Sequence, residues 1–192
     1  MKISPSHIKK AIVSICFTIM ILLIIYAISY QRPSEFSPSQ INTWINQAAA
    51  SYEVDPRLVK AVIWKESKFF PYAKGAAGEL GLMQIRQLAA KEWATSEKVE
   101  PFAHGHVIHP KTNTLAGTWY LKKMLNRYKS SENPIVYALA DYNAGRQHVL
   151  RWLETSSLED SQNFLNKMDF PSTRQYILDI LQKYDELSEN NN

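Results

Sequence analysis

The chain of 192 residues is 45% hydrophobic and 21% charged, which fits one globular domain with a short extension. Its net charge of +4 comes mainly from Lys2, Lys9 and Lys10, because the remaining 19 basic residues nearly balance the 18 acidic ones. This balance argues against a nucleic-acid-binding protein, whose surface needs an excess of cations to follow a phosphate backbone. The single cysteine, Cys16, excludes a disulfide within the chain.

The first predicted element is an apolar helix at residues 11–29, which carry no charged side chain. A helix of this length reaches about 28 Å, close to the thickness of the hydrocarbon core of a bilayer. The lysines of residues 1–10 predict that this flank lies in the cytoplasm, so we interpret residues 11–30 as a transmembrane anchor. The alternative is a signal sequence with the small-x-small pattern Ala27-Ile28-Ser29, although the apolar run exceeds the usual ~7–15 residues.

The rest of the chain is predicted to be helical. Residues 31–38 carry two prolines and two serines and are predicted to form a tether before a domain at residues 39–187. Apolar residues at helical spacing predict seven helices, at about 41–52, 56–67, from Gly81 to Trp93, 113–128, 135–142, 146–153 and 171–187. A short hairpin is the one β element that fits, near residues 68–80. The fold class is therefore all-α, with at most a minor hairpin, and residues 188–192 are predicted to be a disordered tail.

Glu66 lies at the end of the second of these helices, on its apolar face. The residues that define this face are Val59, Val62 and Ile63. Because burial disfavours the charged form, we expect the pKa of Glu66 to rise from ~4.3 toward about 6. A carboxylic acid that stays protonated near neutral pH can protonate the leaving oxygen of a glycosidic bond. The alternative is a glutamate capped by local amides or paired with Lys65 or Lys68.

The segment after Glu66 has the composition of a ligand-binding loop. Gly75, Gly78 and Gly81 allow tight turns and a close approach of the backbone to a ligand. Gln84 adds an amide that both donates and accepts hydrogen bonds, as recognition of a sugar requires. Three aromatic side chains are candidates for an apolar wall: Phe69, Phe70 and Tyr72. An ordinary glycine-rich loop with a core methionine is the alternative interpretation.

Three histidines fall in the predicted loop between residues 97 and 112. His104, His106 and His109 form H-x-H-x-x-H, and imidazoles of this kind bind zinc. No fourth ligand or helical register accompanies them. We therefore predict unlinked histidines and no metal site.

Four ordered blocks of sequence resemble a known family. The blocks are E-S-x-F-x-P-x-A from Glu66 with G-x-x-G-L-M-Q-I from Gly78, N-x-x-x-G-x-x-Y-L from Asn113, A-x-Y-N-A-G from Ala140, and P-x-T-R-x-Y-I from Pro171. Together they resemble the lytic transglycosylases of the soluble-lytic-transglycosylase family, which have a goose-type lysozyme-like catalytic domain. Val54-Asp55-Pro56, before the helix of Glu66, adds to the resemblance.

The resemblance implies cleavage of the β-1,4 bond between N-acetylmuramic acid and N-acetylglucosamine in peptidoglycan. Glu66 would protonate the leaving oxygen and then accept the proton of the substrate's C6 hydroxyl, which leaves a 1,6-anhydro end. Tyr176 would hydrogen-bond near Glu66, and no cofactor, metal or second enzyme carboxylate is required. The residues expected to bind the sugar are Met83, Gln84, Asn113, Tyr142 and Asn143.

Three positions depart from the family pattern or offer other acids. Gly75 stands where the family often has a serine, whose hydroxyl would reach Glu66 or the N-acetyl group. Glu79 replaces a frequent alanine and is expected to be either a solvated loop residue or an extra polar contact to sugar. Asp141 is expected to be a surface charge at a helix end.

Two other functions are compatible with the same sequence pattern. One is a muramidase that uses water, and the other is a non-catalytic factor that binds the wall or assists assembly. The expected partners are the glycan strand, the membrane through the N-terminal helix and, by analogy, an envelope secretion, conjugation or pilus apparatus. The expected location is the bacterial inner membrane, single-pass, with the catalytic domain in the periplasm or outside. If residues 1–29 are cleaved, the protein is expected to be secreted.

Overall fold

A computed structural model describes residues 14–24 and 35–189 of the chain. Residues 14–24 form a helix, which we call α1. Its large apolar side chains are exposed. In these two described ranges, no helix is both long and apolar enough to cross a membrane. The expected anchor at 11–30 extends beyond the first range. The basic flank at 1–10 and parts of the expected tether and tail also lie outside the described residues.

A compact unit that begins at Phe36 contains the remaining elements. The helices are α2 Pro38–Tyr52, α3 Pro56–Ser67, α4 Gln87–Ser96, the 3-10 helix η1 His104–Ile108, α5 Pro110–Arg127, α6 Pro134–Ala144, α7 Arg146–Leu153, α8 Ser161–Lys167 and α9 Pro171–Glu189. Within the described part of the chain, β structure is limited to isolated bridges, Lys74 with Leu80 and Leu80 with Ile85. The predicted helical class is therefore confirmed, and the expected hairpin is reduced to these bridges.

Local capping explains where α2 and α3 begin and end. Ser37 accepts a hydrogen bond from the backbone N–H of Gln40 in a capping box, and Asp55 accepts one from Arg57 at the start of α3. Both helices end in a left-handed residue, Glu53 with φ 52° and Lys68 with φ 51°. The cap at Lys68 stops α3 immediately after the turn that carries Glu66.

The core forms where α5 packs against α2, α4 and α6, and where α3 packs against α9. α5 therefore lies between the early and the late helices of the unit. The pairing of α3 with α9 brings residues that are more than 100 positions apart in sequence to the same place. This is the packing that assembles the site described below.

Two predictions of local structure are wrong. α4 begins at Gln87 and not near Gly81, because Gly81 has φ 74° and Gln84 has φ 47°, which no right-handed helix accommodates. α8 was not predicted at all. It has seven residues, and only Phe164 and Leu165 are buried, so it is too short to produce a clear helical period.

Candidate active site

Glu66 and Tyr176 meet at the centre of the candidate site. Glu66 lies in the last turn of α3, and Tyr176 lies in the second turn of α9. The phenolic O–H of Tyr176 donates a hydrogen bond of 2.6 Å to Oε1 of Glu66. Tyr176 is only 5% exposed, so this bond is shielded from solvent. The pairing follows from the packing of α3 on α9.

The surroundings of Glu66 favour its neutral form. Burial raises the pKa of Glu66 from 4.5 to about 7. The hydrogen bond from Tyr176 opposes this rise, the negative charge of Glu79 adds to it, and the positive charge of Lys65 opposes it. Lys65 itself pairs with Asp179 at 2.5 Å. The carboxyl can therefore donate a proton near neutral pH and can also hold a negative charge afterward, as an acid that later acts as a base requires.

The cleft next to Glu66 has a volume of about 360 Å³. Its polar lining includes the side chains of Glu66, Glu79, Gln84, Arg86, Tyr142 and Asn143. Leu88 and Tyr120 add apolar surface, and Leu88 is 71% exposed. Polar groups that converge on one acid, next to apolar surface, are typical of a site that binds a sugar ring. The sequence does not place Arg86 or Leu88 in the site, because nothing in their local sequence indicates which surface they line. Tyr120 belongs to the block that begins at Asn113, but no role is predicted for it.

Asn113 holds the loop that forms one wall of the cleft. Its Oδ1 accepts a hydrogen bond of 2.7 Å from the N–H of Met83, and its Nδ2 donates to the carbonyls of Leu80 and Val107, both at 2.7 Å. The side chain is fully buried. The expectation that Asn113 binds substrate is therefore wrong, because its amide groups are already bonded to the backbone. Asn113 positions the Gly81–Gln84 turn instead.

Met83 lies beneath the cleft surface. Its side chain is fully buried, and Thr118 Oγ1 lies 3.8 Å from its Sδ. A Cβ at Gly117 would lie only 2.7 Å from Cβ of Met83, so the glycine of α5 leaves the space that Met83 fills. The buried side chain of Met83 therefore has no exposed surface for a sugar, and a contact between Met83 and substrate stays a prediction. Its backbone carbonyl accepts a 2.8 Å hydrogen bond from the O–H of Tyr142, which fixes that ring in the cleft wall.

Gln84, Tyr142 and Asn143 line the cleft, where the sequence predicts substrate contacts. Gln84 donates a 2.8 Å hydrogen bond from Nε2 to the carbonyl of Gly81, which fixes its amide. Asn143 is exposed, and its Oδ1 accepts a 2.8 Å hydrogen bond from Thr173. Because Thr173 bonds to Oδ1, the orientation of the Asn143 amide, and therefore the position of its Nδ2 group, is fixed. Their contacts to substrate remain predictions.

The two other acids of the cleft are both held in ion pairs, whereas a contact between Glu79 and sugar stays a prediction. The side chain of Glu79 is 19% exposed and pairs with Arg86 at 2.7 Å, so it is not a freely solvated loop residue. Asp141 is 2% exposed, pairs with Arg127 and accepts a 2.9 Å hydrogen bond from Tyr128. The prediction of a surface charge at Asp141 is wrong, because α5 and α6 pack at this point and bury the ion pair between them.

The three histidines contact different partners. His104 Nε2 lies 3.0 Å from the carbonyl of Ile85, and His106 Nδ1 accepts a hydrogen bond from the N–H of Ala103. The ring of His109 packs against Phe36 at a centroid distance of 5.4 Å. In the described ranges, no group of three or more His, Cys, Asp or Glu side chains is arranged to hold a metal ion.

Size alone does not identify the site. A hollow of about 950 Å³ lies between α4 and the segment around residues 98–104. Its one carboxylate, Glu100, is exposed. The smaller cleft is the better candidate because it contains the buried acid.

Comparison with known proteins gives a family and a fold. The family model described as the transglycosylase SLT domain matches residues 43–165. The membrane-bound lytic murein transglycosylase F of Desulfosudis oleivorans is 32% identical over 62% of this chain and 24% of its own length. The membrane-bound lytic murein transglycosylase C of Salmonella paratyphi B is 35% identical over 65% of this chain and 36% of its own length.

A solved structure agrees with these matches. The 70 kDa soluble lytic transglycosylase of Escherichia coli superposes with a TM-score of 0.66 at 27% identity, over 75% of this chain and 23% of that one. The chain thus spans about a quarter to a third of the length of these proteins. Because the family model matches more than half of its residues, the chain belongs to the transglycosylase SLT domain family.

Proposed function

We propose that this chain is a lytic transglycosylase of peptidoglycan, which cleaves the β-1,4 bond between N-acetylmuramic acid and N-acetylglucosamine. The observation that supports this most strongly is the buried carboxyl of Glu66, held by Tyr176 beside a cleft of about 360 Å³. The relatives named as lytic murein transglycosylases give the same activity class.

In the proposed reaction Glu66 acts twice. Its proton moves to the bridging oxygen, the bond between that oxygen and C1 of the muramic acid breaks, and positive charge develops at C1. The oxygen of the C6 hydroxyl of the same sugar then bonds to C1, and its proton passes to the Glu66 carboxylate. The products are a free 4-hydroxyl on one sugar and a 1,6-anhydro ring on the other, and Glu66 regains the proton with which it started.

Tyr176 can stabilise Glu66 between the two proton transfers, when Glu66 is a carboxylate. Burial raises the pKa of Tyr176 well above 10.0, so its hydroxyl remains a donor throughout the neutral range. Its bond to Oε1 stabilises the carboxylate that exists after the first proton transfer and leaves Oε2 for the substrate. We therefore assign Tyr176 to the orientation of Glu66.

The other carboxylates of the cleft favour this reaction over hydrolysis. Asp141 is buried with Arg127, and Glu79 is paired with Arg86. A two-carboxylate glycosidase needs a second acid that is free to attack the sugar or to activate a water. An internal nucleophile, the C6 hydroxyl, removes that requirement.

We also propose that residues 11–29 anchor the domain in the inner membrane, with the domain on the periplasmic side. The length of the apolar run, the lysines before it and the membrane-bound relatives support this proposal. An enzyme held in this way suits local opening of the wall beside a secretion, conjugation or pilus apparatus. Resistance of the full chain to alkaline extraction from membranes tests the anchor, and release into the soluble fraction would contradict it.

The activity is tested by digestion of isolated sacculi with the purified full chain, followed by mass spectrometry of the released muropeptides. We expect 1,6-anhydro ends from the wild type and a loss of ~10²–10⁴-fold in rate for Glu66→Gln, which keeps the shape but not the proton. Glu154→Gln, an exposed position on the same unit, is the matched control and should retain activity. Reducing ends would indicate a muramidase, and undiminished cleavage by Glu66→Gln would contradict the assignment.

A further inference from the structure

Gly75 leaves a space that the carboxylate of Glu79 fills. A Cβ at Gly75 would overlap Oε2 of Glu79 and would lie 2.8 Å from Oε1 of Gln84. Both distances are shorter than 3.0 Å, below which Cβ atoms in proteins have essentially no contacts. Gly75 is not among the residues with positive φ, so the backbone does not require glycine here. The glycine is needed for space: without a side chain at 75, the ends of Glu79 and Gln84 converge at the cleft.

Glu79 is fixed in this space by several donors. Its Oε2 accepts a 3.0 Å hydrogen bond from the N–H of Ala77, and its Oε1 accepts one of 2.7 Å from Nε of Arg86. Partial burial raises the pKa of Glu79, but hydrogen bonds from the backbone and from Arg86 outweigh it and hold the pKa below its ordinary value. Glu79 is therefore ionised near neutral pH.

We propose, as an extension of the function above, that Glu79 is a positioning residue whose fixed negative charge keeps Glu66 protonated in the resting cleft. Glu66 and Glu79 line the same cleft, and two like charges in a poorly hydrated space cannot both form without cost. Because Arg86 and the loop amides hold the charge on Glu79, the proton stays on Glu66. The same charge favours the positive sugar ring that forms after proton transfer.

The groups that surround Glu66 allow the effect of Glu79 to be isolated. Tyr176 on α9 and Lys65 on α3 favour the ionised form of Glu66, and Glu79 opposes it. The phenol of Tyr142 on α6 faces Glu66 too, and burial keeps it neutral by raising its pKa well above 10.0. Removal of the charge at 79 leaves Tyr176, Lys65 and Tyr142 in place. It also unpairs Arg86 in the same cleft, and this positive charge favours the ionised form of Glu66, in the same direction as the loss of Glu79.

The test is the pH dependence of the initial rate on isolated sacculi at limiting substrate, with the full chain. The upper limb of this profile reports the loss of the proton from Glu66. We expect Glu79→Gln to move this limb to lower pH by about half a unit, since a like charge has been removed. Arg86→Gln removes the partner of Glu79 and should move the limb the opposite way. Opposite shifts are not expected if the pair only stabilises the loop.

Gly75→Ala tests the space directly. Its methyl group displaces the ends of Glu79 and Gln84 and lies 3.0 Å from Cβ of Glu79, so the loop shifts slightly. Because φ at residue 75 is not positive, alanine fits the backbone and the chain should fold, and the limb should shift in the same direction as in Glu79→Gln. The double variant should shift no further than Glu79→Gln alone, because the charge is already gone. Glu154→Gln is the control and should leave the limb in place.

The proposal is overturned if Glu79→Gln and the wild type share the same upper limb, or if Glu79→Gln and Arg86→Gln shift it in the same direction. If Glu66→Gln is inactive while Glu79→Gln has an unaltered profile, this inference fails and the proposed function stands. If the wild type does not cleave sacculi, carboxyl ¹³C NMR still decides the inference, because it reads the titration of Glu66 in both proteins without activity.

Discussion

Tyr176 and Glu66, separated by 110 residues in sequence, are joined by a 2.6 Å hydrogen bond in which the phenol donates to the carboxyl. The bond exists because α9 packs along α3 and presents Tyr176 to the turn that carries Glu66. It adjusts an acid that burial alone would hold more strongly in its neutral form. Burial and the bond from Tyr176 together set the pKa of the acid in the cleft.

Removal of the Tyr176 hydroxyl should make Glu66 a weaker acid. The bond stabilises the carboxylate, so in Tyr176→Phe the pKa of Glu66 should rise above about 7 and the upper limb of the pH–rate profile should move to higher pH. The rate at neutral pH should fall about tenfold, because the carboxylate between the two steps loses its donor. Tyr137→Phe removes a hydroxyl that donates to Ser157, away from the cleft, and should not move the limb. A limb that moves to lower pH in Tyr176→Phe would contradict the assigned role.

Glu66 should cost the protein stability at high pH. Because the folded state raises the pKa from 4.5 to about 7, folding favours the protonated form. Below pH 4.5 both states are protonated and there is no penalty, whereas between pH 4.5 and 7 the wild type loses stability as pH rises. Glu66→Gln should therefore exceed the wild type in free energy of unfolding by about 3 kcal/mol at pH 8 and match it at pH 4. Equal stability at both pH values would refute the raised pKa.

Substitution of Asn113 should lower the free energy of unfolding more than substitution of an exposed residue of α5. In Asn113→Ala the buried N–H of Met83, the buried carbonyl of Val107 and the partly buried carbonyl of Leu80 lose their partner. The free energy of unfolding should fall by about 3 kcal/mol. Asn126→Ala, an exposed position on the same α5, is the matched control and should cost less than about 0.5 kcal/mol. Chemical denaturation followed by tryptophan fluorescence measures both. A similar small cost for the two variants would show that Asn113 does not hold the loop.

Substitution of Gly117 by alanine should also destabilise the protein, because the added methyl group has no space. A methyl group there meets the side chain of Met83 inside a full core, and overpacking of this kind costs about 1–3 kcal/mol. Because the turn that follows Met83 carries Gln84, activity should fall together with stability. Gly105→Ala has open space around its Cβ and provides the control. If Gly117→Ala is as stable as Gly105→Ala, then Met83 does not pack closely against Gly117 of α5.

The sequence predicts best what local chemistry decides. The bounds of α3 follow from the Asp55 cap and the apolar period, and the position of Glu66 on the buried face follows from the same period. The prediction fails at the Gly81–Gln84 turn, because Gln84 has a left-handed conformation although glutamine is a residue type that usually continues a helix. The sequence pattern therefore predicts a start for α4 that is six residues too early.

The fate of the other polar residues depends on contacts that no local pattern contains. Asp141 is buried because Arg127, fourteen positions away on α5, neutralises it where two helices cross. Asn113 has no unbonded amide group because α5 passes beneath the loop. Family resemblance names such residues as important but does not distinguish a group that touches substrate from one that positions its neighbour.

The titration of the Glu66 carboxyl in the wild-type chain tests the main proposal most directly. Carboxyl ¹³C NMR across pH 3–9, with Glu66→Gln to assign the resonance, gives the pKa without any assumption about substrate. We expect a midpoint at about 7, which leaves a large share of the side chains protonated in the neutral range. A midpoint near the ordinary 4.5 would mean that Glu66 is an ionised carboxylate there and does not supply the proton for glycosidic cleavage.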